Sequence, residues 1–132
     1  MAETYNKPAD LIDQIRVETD RGDGRSTDQI AREMNLPPAQ IARAVRRRLR
    51  RYGLTGPAGI RKEVAVLETK LWRARQRMTQ GNPSAGRTED DQVREILRLQ
   101  DDLGELQLLA RLGRIAGDAS QAYSLPFAGA GL

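Results

Sequence analysis

Apolar residues along the chain recur mostly at spacings of three and four, the period of helices that bury one side. Leu11, Ile12 and Ile15 give an apolar side to a first helix, which Pro8 can start and which stops near Thr19. Asp20-Arg21-Gly22-Asp23-Gly24 then reads as a flexible turn. Ile30, Ala31 and Met34 form the apolar face of a second helix. Ser26 can cap it, and Gln29 three residues on completes a capping-box pattern. Asn35 sits where the following turn needs a residue that tolerates positive φ, and Leu36 plugs that turn. Pro37 pushes Leu36 out of helical geometry, while Pro38 suits the first turn of a new helix. Ile41, Val45 and Leu49 bury this third helix, and Gly53 can end it in a left-handed cap. The spacing predicts a three-helix module over about residues 8–52, with the first helix bracing the other two.

From Ile60 the pattern changes. Ile60, Val64, Leu67, Leu71, Ala74 and Met78 are spaced 4, 3, 4, 3, 4, a heptad seam. A helix from Pro57 to about Gln80 would be roughly 36 Å long. Thr79 to Arg87 breaks it. Thr88 can cap a further helix with Glu89, Asp90 and Asp91 in its first turn, where the helix dipole favours negative charge. Ile96, Leu99, Leu103, Leu106, Ala110 and Gly113 form a second heptad seam, and Val93, Leu97, Leu108, Leu109, Leu112 and Ile115 form another stripe beside it. Two seams imply two neighbours: the preceding helix, in an antiparallel hairpin, and another subunit. Val64, Leu67, Leu71, Leu99, Leu103 and Leu106 are therefore the expected oligomerisation residues. Gly104, Gly113 and Gly117 either allow close helix approach or, for Gly117, end the helix. The expected architecture is all-α. A module over residues 1–53 precedes a Gly/Pro hinge over 54–59, a helical hairpin over 60–117 and a tail over 118–132. A small β-wing after Tyr52 is the alternative at the hinge, but no alternating strand pair follows it. The tail holds the only Phe and reads either as a frayed terminus or as a docking peptide.

Composition narrows the chemistry. The chain has 132 residues with 4% aromatics, thin material for a self-contained core, so burial between subunits is expected. It has no Cys and no His, which excludes disulfides, thiol nucleophiles, thiolate metal sites and histidine acid–base pairs. Its apolar runs are too short to span a bilayer and its first residues form no secretion-signal core, so a soluble, cytoplasmic protein is expected. Residues 1–40 carry 5 basic and 8 acidic side chains, residues 41–87 carry 13 and 2, and residues 88–132 carry 4 and 8. A basic middle between acidic ends points to a polyanion contacted in one place.

That basic middle begins on the third helix. Arg43, Arg46, Arg47 and Arg50 fall at i, i+3, i+4 and i+7, on one face, opposed to Ile41, Val45 and Leu49. Arg51 follows directly. Gln40, at the front of the helix, can reach a base edge and bind adenine with two hydrogen bonds, or is simply a polar first-turn residue. The Ile30-Ala31, Met34-Asn35-Leu36, Ile41 and Val45 spacing resembles the helix-turn-helix family of DNA-binding proteins. It departs at Asn35, where that family prefers glycine, and at Pro37-Pro38. The competing reading is a plain helical hairpin with a solvated arginine face.

No hydrolytic chemistry stands out. Gly81 to Thr88, GNPSAGRT, nearly spells a phosphate-binding loop, but Arg87 replaces its lysine and a heptad helix, not a strand, precedes it. Glu89-Asp90-Asp91 opens a helix, and Asp101, Asp102 and Glu105 fall largely opposite the Leu99–Leu103–Leu106 seam, so both clusters read as solvated surface. No metal-ligand spacing occurs. Neither a catalytic residue nor a cofactor is expected.

The order of parts, a three-helix DNA module, a hinge, a helical hairpin with two-sided seams and a short tail, resembles the small subunits of phage terminases. The resemblance implies a ring of about eight or more subunits that binds double-stranded DNA at a viral packaging site. It also implies delivery of that DNA to a large ATPase/nuclease subunit, contacted through Leu125–Leu132. The alternative is a dimeric helix-turn-helix transcriptional regulator with the hairpin as its dimer bundle. A third reading is a structural adaptor with no DNA role.

Overall fold

The structure, a computed structural model, describes residues 10–81 and 88–130, with side chains described as far as Gly117. All its regular elements are helical: α1 (Leu11–Asp20), α2 (Thr27–Glu33), α3 (Pro38–Leu49), a 3-10 turn (Arg50–Tyr52), α4 (Pro57–Thr79) and α5 (Glu89–Ala130). No strand occurs among the described residues, so the expected alternative of a wing after Tyr52 does not form. No helix of the described residues is long and apolar enough to cross a membrane. By its contacts the chain forms two compact units, Met1–Gly56 with Leu108–Leu132, and Pro57–Gln107.

Local chemistry sets the helix ends of the first unit. The Asp10 carboxylate accepts the Ile12 N–H at 2.8 Å and caps α1. The start expected at Pro8 lies outside the described residues. Ser26 Oγ accepts the Gln29 N–H at 3.1 Å and caps α2. α2 ends where Asn35 turns to φ 54°, the only non-glycine at positive φ among the described residues. The Asn35 N–H then reaches the Arg32 carbonyl at 3.0 Å and the Leu36 N–H reaches Ala31 at 3.3 Å. That paired i−3 and i−5 bonding is a Schellman closure, and it satisfies two carbonyls the helix would leave bare. Gly53, at φ 69°, repeats the device after α3: its N–H bonds Arg50 at 3.1 Å, and Leu54 bonds Leu49 at 3.0 Å.

The first unit's core draws on four helices. Ile12 and Ile15 of α1, Ile30 and Ala31 of α2, and Ile41, Val45 and Leu49 of α3 are buried, as are Leu108, Leu109, Leu112 and Ala116 of α5. Each fully enclosed Ile or Leu contributes roughly 1.5–3 kcal/mol. The last turns of α5 therefore belong here, and not to a separate unit over 60–117.

In the second unit α4 buries Ile60, Leu67, Leu71 and Ala74, with Val64 and Met78 half-buried. α4 begins at Pro57, so the non-helical hinge shortens to the residues before it. Thr88 and Asp91 cap α5 reciprocally: Thr88 Oγ1 accepts the Asp91 N–H at 3.1 Å and Asp91 Oδ2 accepts the Thr88 N–H at 3.3 Å. Arg77 of α4 donates to Glu95 of α5 at 2.9 Å. The buried line of α5 runs through Gln92, Leu99 and Leu106, with Ile96 and Leu103 half-buried. From Glu105 it steps to Glu105, Leu108, Leu109, Leu112 and Ala116. At 3.6 residues per turn that is a shift of roughly 120° around the helix. Ala110 is only half-buried and Gly113 is exposed, so the second heptad seam gives way to the neighbouring stripe where α5 enters the first unit.

α5 does not stop at Gly117. Its backbone stays helical to Ala130, where a loose tail was expected. A single glycine costs a helix only about 1 kcal/mol, too little by itself to end one.

Candidate nucleic-acid interface

α3 starts from Pro37, which is extended at ψ 141°, and its carbonyl accepts the Gln40 and Ile41 N–H groups at 3.0 and 3.1 Å. Pro38 fills the first helical position, where a missing N–H costs nothing. From there the helix divides into two faces. Ile41, Val45, Arg48 and Leu49 are buried, and Arg43, Arg46 and Arg47 are exposed. Arg50 and Arg51 continue the exposed side onto the 3-10 turn, and Gln40 is exposed at the front. No ion pair ties down any of these five arginines among the described residues.

Gln40, Arg43, Ala44 and Arg47 line one side of an open hollow of about 260 Å³, and Asp10 and Leu11 of α1 line the other. Arg46 and Arg50 lie farther round the same helix face. Asp10 would repel an anion at this hollow, but Arg48 engages it. The Arg48 guanidinium lies 3.0 Å from both Asp10 and Asp13. Burial opposes ionisation of Asp10, yet the Ile12 N–H and Arg48 together outweigh it and hold its carboxyl below the usual range. Arg48 is thus a buried brace between α1 and α3 that neutralises the acidic rim beneath the exposed arginines. It stands at i+7 from Ile41 and i+3 from Val45, so helical spacing alone puts it on the core side.

A second arginine brace closes the α1–α2 corner. Arg25 bonds Asp23 at 2.9 Å, Glu18 at 2.9 Å and Glu33 at 2.6 Å. The three carboxylates raise the Arg25 pKa above its ordinary value, with Asp23 the largest cause, and Arg25 in turn lowers that of Asp23. Arg25 and Arg48 are locked; the arginines of the exposed α3 face are available.

The six residues expected at a subunit seam fall inside one chain. Leu67, Leu71 and Leu99 are each 6% exposed and Leu106 is fully buried, while Val64 and Leu103 are half-buried. They form the second unit's own core. Trp72, next to Leu71 and off the seam, is exposed. Among the described residues no three acidic side chains converge as a metal site. Most of the loop resembling a phosphate-binding motif, residues 82–87, lies outside the described residues. No family model matches the chain, and neither a curated protein nor a solved structure matches it.

Proposed function

We propose that the protein is a DNA-binding subunit that assembles with copies of itself, and that α2, the Asn35–Leu36 turn and α3 act as its helix-turn-helix. The observation that carries this reading is the α3 face: Arg43, Arg46, Arg47 and Arg50 are exposed and form no ion pair among the described residues, opposite a face of α3 that is packed. Guanidinium groups in that state can exchange water for phosphate without first breaking an internal pair, and counterion release then drives binding. Gln40, beside Arg43 and Arg47 in the same hollow, is the side chain placed to reach a base edge. The role that fits these parts is the small subunit of a phage terminase, a ring that marks double-stranded DNA for packaging and hands it to a large ATPase/nuclease subunit.

The test is fluorescence anisotropy with a labelled duplex over a range of salt. Arg43→Ala with Arg47→Ala should weaken binding and flatten the slope of log K against log salt by about 1.8, two phosphate contacts' worth. Unchanged affinity and slope would remove α3 as the contact. Light scattering separates the assembly states: eight or more subunits support the packaging ring, and a stable dimer supports a transcriptional regulator instead.

A further inference from the structure

The second unit leaves its largest side chain in water. Trp72 on α4 is 63% exposed and Leu97 on α5 is 58% exposed. Val66 and Val93 are each 38% exposed on the same two helices. One exposed leucine is ordinary, but a surface Trp is the residue type most often found anchoring a protein contact.

The two outward faces differ in charge. Trp72 lies between Glu68, four residues before it, and Arg75, three after it, and five of the six exposed charged side chains on α4 are basic. On α5, Glu89 and Asp90 stand one turn before Val93 and Asp101 one turn after Leu97, with Arg94 and Arg98 among them, so four of the six exposed charged side chains over 89–107 are acidic. An α4 face therefore suits an α5 face better than it suits another α4.

Gly104 completes the α5 stripe, seven residues on from Leu97. Among the described residues nothing beyond its chain neighbours and its own helix backbone comes within 4 Å of where its Cβ would lie, and it is not at positive φ. A mid-helix glycine costs about 1 kcal/mol against alanine. The chain itself gives no reason to bear that cost, whereas a large side chain arriving from outside would.

We propose that Trp72 of one copy packs onto the Val93–Leu97–Gly104 stripe of the next copy, a contact between unlike faces that repeats head to tail. The proposal rests on the assembly part of the function proposed above and names the surface that makes it. Unlike-face contacts propagate until they close into a ring or run on as a filament, whereas like-face contacts stop at a dimer.

The experiment uses the full chain and two variants, Trp72→Ala and Gly104→Gln, followed by light scattering and sedimentation. Both sites are exposed, so helicity by circular dichroism should not change. The wild type should assemble beyond a dimer. Each variant alone should raise the subunit dissociation constant roughly 30-fold or more, the scale of a lost Trp anchor. Mixed one to one, the variants share one intact junction, the Trp of the Gly104→Gln chain on the stripe of the Trp72→Ala chain, so growth should stop at a heterodimer. Variants that keep the wild-type mass, or a mixture that forms no heterodimer, would overturn the proposed contact while leaving assembly by another surface standing. A wild type that is monomeric at every concentration would overturn both the contact and the assembly reading, leaving DNA binding by α3 to its own test.

Discussion

The two compact units spend similar residues differently. In the first, four helices enclose isoleucines and leucines completely, and two arginines are locked to carboxylates that join neighbouring elements. In the second, the seam is buried but Trp72 and Leu97 face water. Among the described residues the first unit satisfies itself within one chain and, Val17 of α1 apart, turns polar and charged side chains outward, most densely on α3. The second is less finished, and its remainder is apolar. A charged outer face suits a polyanion; an apolar one suits protein.

Four substitutions bear on that contrast, beyond those already described. The largest effect is expected in the enclosed core. Leu109→Ala should lower unfolding stability by about 2–5 kcal/mol, the range for emptying a buried leucine site. Leu97→Ala, measured by denaturant titration at concentrations too low for association, should cost no more than about 0.5 kcal/mol. Equal costs at the two sites would erase the difference between the units.

A smaller effect is expected at the buried brace. Arg48→Ala should cost about 2 kcal/mol, since it removes charge-assisted hydrogen bonds and the packing of a buried side chain. It should also change the response to acid. Because the folded-state pKa of Asp10 is lowered, its contribution is present above the ordinary carboxylate value and is lost as pH falls through the folded value. Melting curves at pH 7 and pH 3 should show the wild type losing more stability than Arg48→Ala does. A parallel decline would mean that this pairing contributes little to the first unit.

The smallest effect is a gain. Asn35→Gly should raise stability by about 0.5–1 kcal/mol, since glycine takes φ 54° without the side-chain penalty. A fall in melting temperature would show that the Asn35 side chain does something the backbone does not require.

What could be read from sequence follows the distance over which each signal acts. The Ser26 and Thr88 caps, the left-handed turns at Asn35 and Gly53, and the start of α3 at Pro38 depend on neighbours within a few residues, and the structure carries each of them. The outward arginines of α3 follow from helical spacing. The same spacing marks Arg48 as inward, but a run of three arginines reads as uniformly solvated until its carboxylate partners, 35 and 38 positions earlier, are seen. The heptad seams predicted burial but not by whom: period shows that a face is covered, never whether the cover is the same chain. The end of α5 is not legible in the sequence: Gly117 reads as a stop and Pro126 as another, yet the backbone stays helical to Ala130.

α5 crosses from one unit to the other, and this affects the order in which the protein can be made. Residues 10–56 leave the ribosome early, yet Leu108, Leu109 and Leu112, which share their core, are synthesised only after the whole second unit. Until then the three N-terminal helices must persist with part of their apolar surface uncovered. Closing that gap across the intervening 51 residues, Pro57–Gln107, carries an entropy cost of roughly 3–4 kcal/mol if the insert is unstructured, and less once α4 and α5 have paired. The chain is thereby biased to fold its middle first and its beginning last, so the arginine face of α3 matures only when the far end of the chain has arrived.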